Sequence, residues 1–228
     1  MLIPCIIDDD LELRPMEQRH APAMFAIVER DRDYLRQYQN WPDKIVNLND
    51  MRRSIRYSMQ KRQQNSGQDF VVLLQGVVVG KVGLVYINWQ EKLSEIGYWL
   101  AQPVQGQGII TRSARVLTGY ALGQLRLEKI QIRCAVGNTR SRAIPERLGY
   151  EFEGIVPGVT QQHGAFIDEA VYSMTASRWY GRMIYHITSL AEWASAETSL
   201  RARASAGGAA QLPHSAAGQR SYDRGSRD

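Results

Sequence analysis

The sequence predicts an α/β (α+β) domain built round one mixed sheet, and three observations predict it. Phe70 to Trp89 is dense in valine and glycine, with Gln75-Gly76 placed to turn a hairpin. Glu95 to Thr111 reads as a strand, a glycine turn and the start of a helix. There Ile96, Tyr98 and Leu100 alternate with Glu95, Gly97 and Trp99, which suits a strand with two distinct faces. The predicted elements run β-α-α-β-β-β-α-β-α-β-β, and a helical crossover lets the strands on either side of it lie parallel.

In chain order, Asp10 to Pro15 alternates as a first strand. His20 to Asp31 is a helix with Met24, Ile27 and Val28 on one face. The next segment is aromatic and ends at Trp41-Pro42, a boundary that disfavours helix. Its Tyr34, Tyr38 and Trp41 are either core anchors or walls of a substrate pocket. Asn49 is the predicted N-cap of a helix from Met51 to about Gln64. Strands follow near 69–74 and 77–89, then a connection Gln90 to Leu93 and the strand 95–100, stopped by Gln102 and Pro103. A helix runs from Ile109 to about Gln124, with Ile109, Arg112, Val116, Tyr120 and Gln124 near helical spacing. Lys129 to Val136 alternates as a strand parallel to 95–100.

Asn138 can cap a short helix from Thr139 to Leu148, and Gly149 suits its C′ position. Pro145 lies inside that helix and removes the N–H that would bond the carbonyl of Ser141. Two last strands, from Glu151 and from Ala165, join through Gly158 to Gly164. The domain is expected over residues 1–176. Residues 177–228 form an extension with seven arginines against four acids. It is expected to be helical from Arg178 to about Arg203, with Ile184, Leu190 and Trp193 as apolar contacts, and disordered from Ala204.

The 228 residues are 44% apolar, enough for a sizeable core. A net charge of +5 fits an anionic ligand, an acidic partner or ribosome proximity without requiring nucleic acid. Cys5 and Cys134 are too few and too isolated for a disulfide framework. His20, His163, His186 and His214 are scattered, so no metal site is expected. No apolar run approaches the roughly 18–20 residues of a membrane span. The N-terminus lacks a basic start, so a cytoplasmic setting is expected.

The turn Gln105-Gly106-Gln107-Gly108 before a helix offers free N–H groups to an anion such as pyrophosphate, or serves close strand–helix packing. It is not a P-loop, because no Gly-Lys-Ser/Thr follows, and it lacks the third glycine of a dinucleotide fingerprint. About thirty residues on stands Asn138-x-x-Ser141-x-x-Ile144-Pro145-Glu146-x-Leu148-Gly149-Tyr150. Together, over roughly residues 10–176, the two motifs resemble the GNAT acyltransferases, and within them the RimJ/RimL branch that acetylates protein N-terminal amines.

The resemblance implies a mixed, mostly antiparallel sheet with splayed central strands flanked by helices, and acetyl-CoA as cosubstrate. Gln105, Gly106, Gln107, Gly108, Ile109 and Ile110 map to the pyrophosphate turn, with Ile110 where many relatives carry Gly or Ala. The pantetheine is expected along the backbone near Trp99 and Leu100, where an N–H can also stabilise the oxyanion of the thioester. Asn138 is expected to meet the pantetheine arm or hold its loop. The tyrosine acid of many relatives maps to Pro145, so Ser141 becomes the candidate for the leaving thiolate. Its alternative is support of the helix start.

A terminal α-amine has a pKa near 8 and needs only a modest base. Glu95 is the candidate, or else it pairs with an Arg or Lys on the sheet. The glutamate of some relatives in the loop between the last strands has no counterpart in Gly158 to Gly164, where His163 is the substitute. Tyr38, Trp41 and Trp89 are the candidate substrate-binding aromatics. The expected activity is acetylation of a protein or peptide N-terminal amine, with ribosomal proteins first. The alternatives are a small-molecule amine or a non-catalytic acetyl-CoA module. A homodimer is compatible with the sequence, and nucleic acid would be reached only through the basic tail.

Overall fold

A computed structural model describes residues 5–162 and 164–186. Of the helix expected from Arg178 to about Arg203, the part up to His186 is described and is helical; its remainder and the expected disorder from Ala204 lie outside the described residues, as does His163. The strands are β1 (Cys5–Ile6), β2 (Leu11–Pro15), β3 (Gln68–Leu74), β4 (Val77–Asn88), β5 (Leu93–Leu100), β6 (Lys129–Ala135), β7 (Glu151–Gln162) and β8 (Ala165–Thr175). The α-helices are α1 (Ala21–Arg30), α2 (Arg32–Leu35), α3 (Leu48–Gln63), α4 (Ile109–Gly123), α5 (Thr139–Leu148) and α6 (Ala176–His186). No described helix is long and apolar enough to cross a membrane.

One sheet holds all eight strands in the order β1-β2-β3-β4-β5-β6-β8-β7. Every neighbouring pair is antiparallel except β5–β6. Alternation along the strands sends Phe70, Val72, Val82, Leu84, Ile96, Ile130 and Ile132 to the core beneath α4. Val71, Leu73, Trp99 and Ala101 go to a second core beneath α1 and α3. The sheet is therefore buried on both faces where the chain crosses its middle.

The parallel pair is short. It runs only from Leu93–Lys129 to Glu95–Gln131, and beyond it the strands part. The matching irregularity lies in β4, whose register against β5 shifts between Leu84 and Ile87. A bulge of this kind bends and twists its strand. Ala101 donates its N–H to Val79 of β4 at 2.8 Å. By strand alternation the backbone groups of Tyr98 and Leu100 turn the other way, toward the opening. A side chain on Gly80 would collide with the Trp99 carbonyl, so glycine there permits the close β4–β5 approach that holds this edge.

Several element limits differ from expectation. The N-cap of α3 is Asn47, not Asn49: its side chain accepts from the N–H of Asn49 and Asp50, and Asp50 completes a capping box. β5 begins two residues earlier than expected, at Leu93. The segment read as a loop from Gly158 is mostly strand, because β7 continues to Gln162 opposite Ala165. The buried stripe of α4 is Ile109, Ile110, Ser113, Ala114, Leu117, Thr118, Ala121 and Leu122. Of the five residues whose spacing predicts the helix, only Ile109 lies on this stripe. Ser113 and Thr118 are buried because their hydroxyls bond the carbonyls of Ile109 and Ala114.

Two buried acids fix what surrounds the site. Asp31 ends α1 and accepts from the N–H of Gln102 at 2.9 Å, tying that helix to the entry of the glycine turn. Asp69 on β3 takes the hydroxyl of Ser58 at 2.7 Å and faces Lys61 and Lys81, which pins α3 to the sheet. Burial pushes the Asp69 carboxyl up, yet the two ammonium groups outweigh it and hold the group below its ordinary value.

Candidate active site

A cavity of about 960 Å³ opens where β5 and β6 part. Its floor is Tyr98, Trp99 and Leu100, and one wall is the start of α4. Gly106 and Gly108 have φ of 78° and 70°, a left-handed region that favours glycine, and nothing stands within 4 Å of where either Cβ would be. Gly108 is the N-cap of α4 and has no side chain to cap it, and the first turn carries no acid. The leading N–H groups of the helix are thus left to an anion. Arg112, on the next turn, is held by Asp8 at 2.5 Å and Asp10 at 3.1 Å.

The opposite wall is α5. Asn138 caps it by accepting the N–H of Ser141 at 3.1 Å. Tyr150 reaches across to Thr118 of α4 at 2.6 Å, and Tyr172 of β8 bonds both Arg142 and Glu146. These bonds set the distance between the two walls. Pro145 costs about 3 kcal/mol in a helix interior and leaves the Ser141 carbonyl without its usual N–H. That carbonyl instead accepts the hydroxyl of Tyr98 from across the gap, at 3.2 Å. The Tyr98 oxygen also lies 3.2 Å from Ser141 Oγ. Tyr98 is buried enough to raise its pKa well above the ordinary value, so it keeps its proton. Cys134 of β6 sits against Ser141, and burial pushes its thiol up to about 11.

The chain that builds this wall of uncapped helix, glycine turn and capped serine matches a known family over more than half of its length. A family model described as an acetyltransferase (GNAT) domain matches residues 10–151. The chain belongs to the GNAT acetyltransferases. It is 27% identical over 181 residues to the putative ribosomal N-acetyltransferase YdaF of Bacillus subtilis, covering 79% of this chain and 99% of that protein. It is 25% identical to the ribosomal-protein-serine acetyltransferase of Escherichia coli, covering 73% and 93%. Among solved structures, RimL, a ribosomal L7/L12 α-N-protein acetyltransferase in complex with coenzyme A, superposes with a TM-score of 0.75. That match has 24% identity and covers 77% of this chain and 99% of the other.

In this GNAT domain the second face of β5 carries a different chemistry. Glu95 stands at the last paired position before the strands part, on the side away from Ile96 and Tyr98. Burial raises its carboxyl to about 7. Arg133 pulls it down, and Glu169 pushes it up again. Arg133 bonds Glu169 at 3.0 Å, so its charge is shared rather than given to Glu95. On this side the end of β7 reaches the loop after α2. Gln162 Nε2 donates to the carbonyls of Arg36 and Gln37, at 3.1 and 2.7 Å. Tyr38 donates to the carbonyl of Gly137 at 3.3 Å.

The cavity gathers most of the residues expected for the cofactor: Trp99, Leu100, Gln105, Gly106, Gly108, Ile109, Ile110, Asn138 and Ser141. Gln107 is exposed on the turn and does not line it. Glu95 lies on the other face. Of the aromatics, Tyr34 and Tyr38 line the cavity. Trp41 does not; it packs on Trp99, with ring centroids 5.4 Å apart. Trp89 does not line the cavity either. It stands 48% exposed beyond the end of β4, and its indole N–H donates to the Asn65 carbonyl at 2.7 Å. Sequence reasoning missed Tyr98, Arg112, Arg140, Ile144 and Arg147, all of which line the cavity. Alternation along β5 already placed Tyr98 on the helix-facing side, and the proline gap at Ser141 was the signal for its partner.

The lining fits acetyl-CoA. It offers an uncapped helix start, open space over two glycines, an unpaired strand edge and three arginines, with no carboxylate among the described residues.

Proposed function

We propose that this GNAT enzyme transfers acetyl from acetyl-CoA to the N-terminal α-amine of a protein, in the first place a ribosomal protein. The observation that carries the reading is Glu95, a half-buried carboxyl with a pKa of about 7, placed where the strands part and opposite the cofactor wall. A base of that strength suits an α-amine near 8 far better than a lysine near 10.4. The names of the curated relatives, a putative ribosomal N-acetyltransferase and a ribosomal-protein-serine acetyltransferase, support the same acceptor.

The residues divide the work. Gly106 to Ile110 present N–H groups to the pyrophosphate, and the edge of β5 at Tyr98 and Leu100 takes the pantetheine amides and the acyl oxygen. Glu95 accepts a proton from the amine as the C–N bond forms. Ser141 Oγ–H hydrogen-bonds the sulfur as the C–S bond breaks, and water completes its protonation. Tyr98 gives its one proton to the Ser141 carbonyl, so the Ser141 hydroxyl donates to the Tyr98 oxygen and turns to the sulfur once the cofactor is bound. The acceptor enters beside Tyr38 and the β7–β8 hairpin. All these groups precede Ala176, which supports residues 1–176 as the catalytic domain and 177–228 as an extension outside the chemistry.

The test is a mass-spectrometric screen with labelled acetyl-CoA. It offers peptides with free N-termini, N-blocked peptides containing lysine, polyamines and aminoacyl nucleotides. Label on the α-amine is expected. Label confined to the small amines would replace the acceptor, and no transfer to any amine would overturn the reading.

A further inference from the structure

The cofactor cavity has a second anion-binding feature that the pyrophosphate turn does not use. Arg140, Ile144 and Arg147 recur at helical spacing on one face of α5, and all three line the cavity. Neither arginine has an ion pair among the described residues. Arg140 donates to Gln105 Oε1 at 3.0 Å, which brings it to the edge of the glycine turn. Arg147 lies about two turns further along the helix. Their neighbours differ: Arg112 is held by Asp8 and Asp10, and Arg142 bonds Tyr172. Glu146, next to Arg147 in the chain, accepts the Tyr172 hydroxyl instead. These two guanidinium groups, neither ion-paired among the described residues, face a cavity without a carboxylate.

We infer that Arg140 and Arg147 form a clamp for the 3′-phosphate of coenzyme A, with Ile144 between them as an apolar seat for the adenine. The inference rests on the acetyl-CoA reading and deepens it. Coenzyme A carries two kinds of phosphate. The pyrophosphate bridge is esterified at both ends and carries one charge on each phosphorus, spread over non-bridging oxygens that backbone N–H groups at a helix start serve well. The 3′-phosphate is a monoester with a charge of about −1.5 to −2 at pH 7. The half charge of a helix start does not balance both groups. A guanidinium fork matches a phosphate monoester in shape and charge, and binds it with paired charge-assisted bonds. Arg140 leaves Gln105 for the phosphate as the cofactor enters, and Arg147 meets it from the far side of Ile144. The consequence is selectivity: the enzyme distinguishes coenzyme A from its 3′-dephospho form, which has the same pantetheine and pyrophosphate.

The experiment is titration calorimetry of coenzyme A and 3′-dephospho-coenzyme A with the full chain, Arg147→Gln, Arg147→Lys and the double variant Arg140→Gln/Arg147→Gln. Both arginines are exposed, so melting temperatures should stay near that of the parent. The parent should bind coenzyme A roughly 30-fold more tightly than the dephospho form, the scale of hydrogen bonds to a charged group. In the double variant that ratio should fall to within about twofold, through loss of coenzyme A affinity alone, and Arg147→Lys should keep part of it. Equal affinity of the parent for both ligands overturns the clamp while leaving acetyl-CoA as cosubstrate. A ratio that survives in the double variant also overturns it. Failure of the parent to bind either ligand overturns the cofactor reading itself, and the clamp with it.

Discussion

On the α4–α5 side of β5 the site is made largely of backbone: N–H groups at a helix start, two glycines at positive φ, and a strand edge left open by the splay. On the other side it is made of side chains, Glu95 with Arg133 and Glu169, and of contacts such as Gln162 to Arg36 that join segments more than a hundred residues apart. A backbone site depends on chain geometry and tolerates change in most side chains. A side-chain site depends on each group and on its charge. The first should therefore break through glycine and the second through conservative substitutions that keep shape and change ionisation.

The largest effect is expected at Gly108. Gly108→Val puts a β-branched residue at φ 70° and fills the open space over the turn. Acetyl-CoA affinity should fall about 100-fold or more by calorimetry, as expected when several charge-assisted bonds are lost together. Unchanged affinity would show that the phosphates bind elsewhere. Next is Ser141→Ala. It should lower kcat by roughly 30-fold, within the usual range for a general acid, with little change in the KM for acetyl-CoA. Equal turnover would reduce Ser141 to a helix-start residue.

A smaller loss is expected for Tyr98→Phe. It removes one hydroxyl that serves both the Ser141 carbonyl and Oγ. The kcat should fall several-fold, and stability by about 1 kcal/mol, the net worth of one hydrogen bond. A stability loss with unaltered kcat would confine Tyr98 to offsetting Pro145.

The acceptor side also makes a prediction about stability. Glu95 titrates at about 7 in the folded chain against 4.5 ordinarily. The folded state thus holds the extra proton between those values. Its contribution is fully present below pH 4.5 and is lost as pH rises through 7. Glu95→Gln should raise Tm by about 2–6 °C at pH 8 and leave it unchanged near pH 4. An equal gain at both pH values would mean the carboxyl is not desolvated. The smallest effect belongs to Trp89→Phe, which should alter acceptor kinetics less than about twofold because the residue lies on the surface away from the cavity.

The difference between the two sides also governs how much could be read from sequence. The strands, the two long helices and the cofactor turn follow from alternation, glycine spacing and caps, all of which are local. The turn became readable only with Asn138 to Tyr150, because a single Gly-x-Gly also occurs in close packing. The helix α4 was legible but its buried face was not, because Ser113 and Thr118 are buried by bonding their own helix, which hydrophobic periodicity does not register. Asn47 and Asn49 compete for one cap, and only the reciprocal bonds of Asp50 decide between them. The ring of Trp89 suggests a substrate wall, yet its position depends on a bulged strand and a bond to Asn65. Arg140 and Arg147 were legible as one helix face but not as unpaired, since pairing is a matter of distant neighbours.

The central claim is that Glu95 serves the acceptor and α4 and α5 serve the cofactor. It is tested most directly by the pH dependence of kcat/KM for an α-amine peptide at saturating acetyl-CoA, measured for the parent and for Glu95→Gln. The parent should show two acidic ionisations, one near 7 from Glu95 and one near 8 from the amine, so that log kcat/KM falls with a limiting slope of two below both. Glu95→Gln should lose about 100-fold in rate, fall with a slope of one, and bind acetyl-CoA as the parent does. A limiting slope of two that persists in Glu95→Gln would contradict the account and place the base elsewhere.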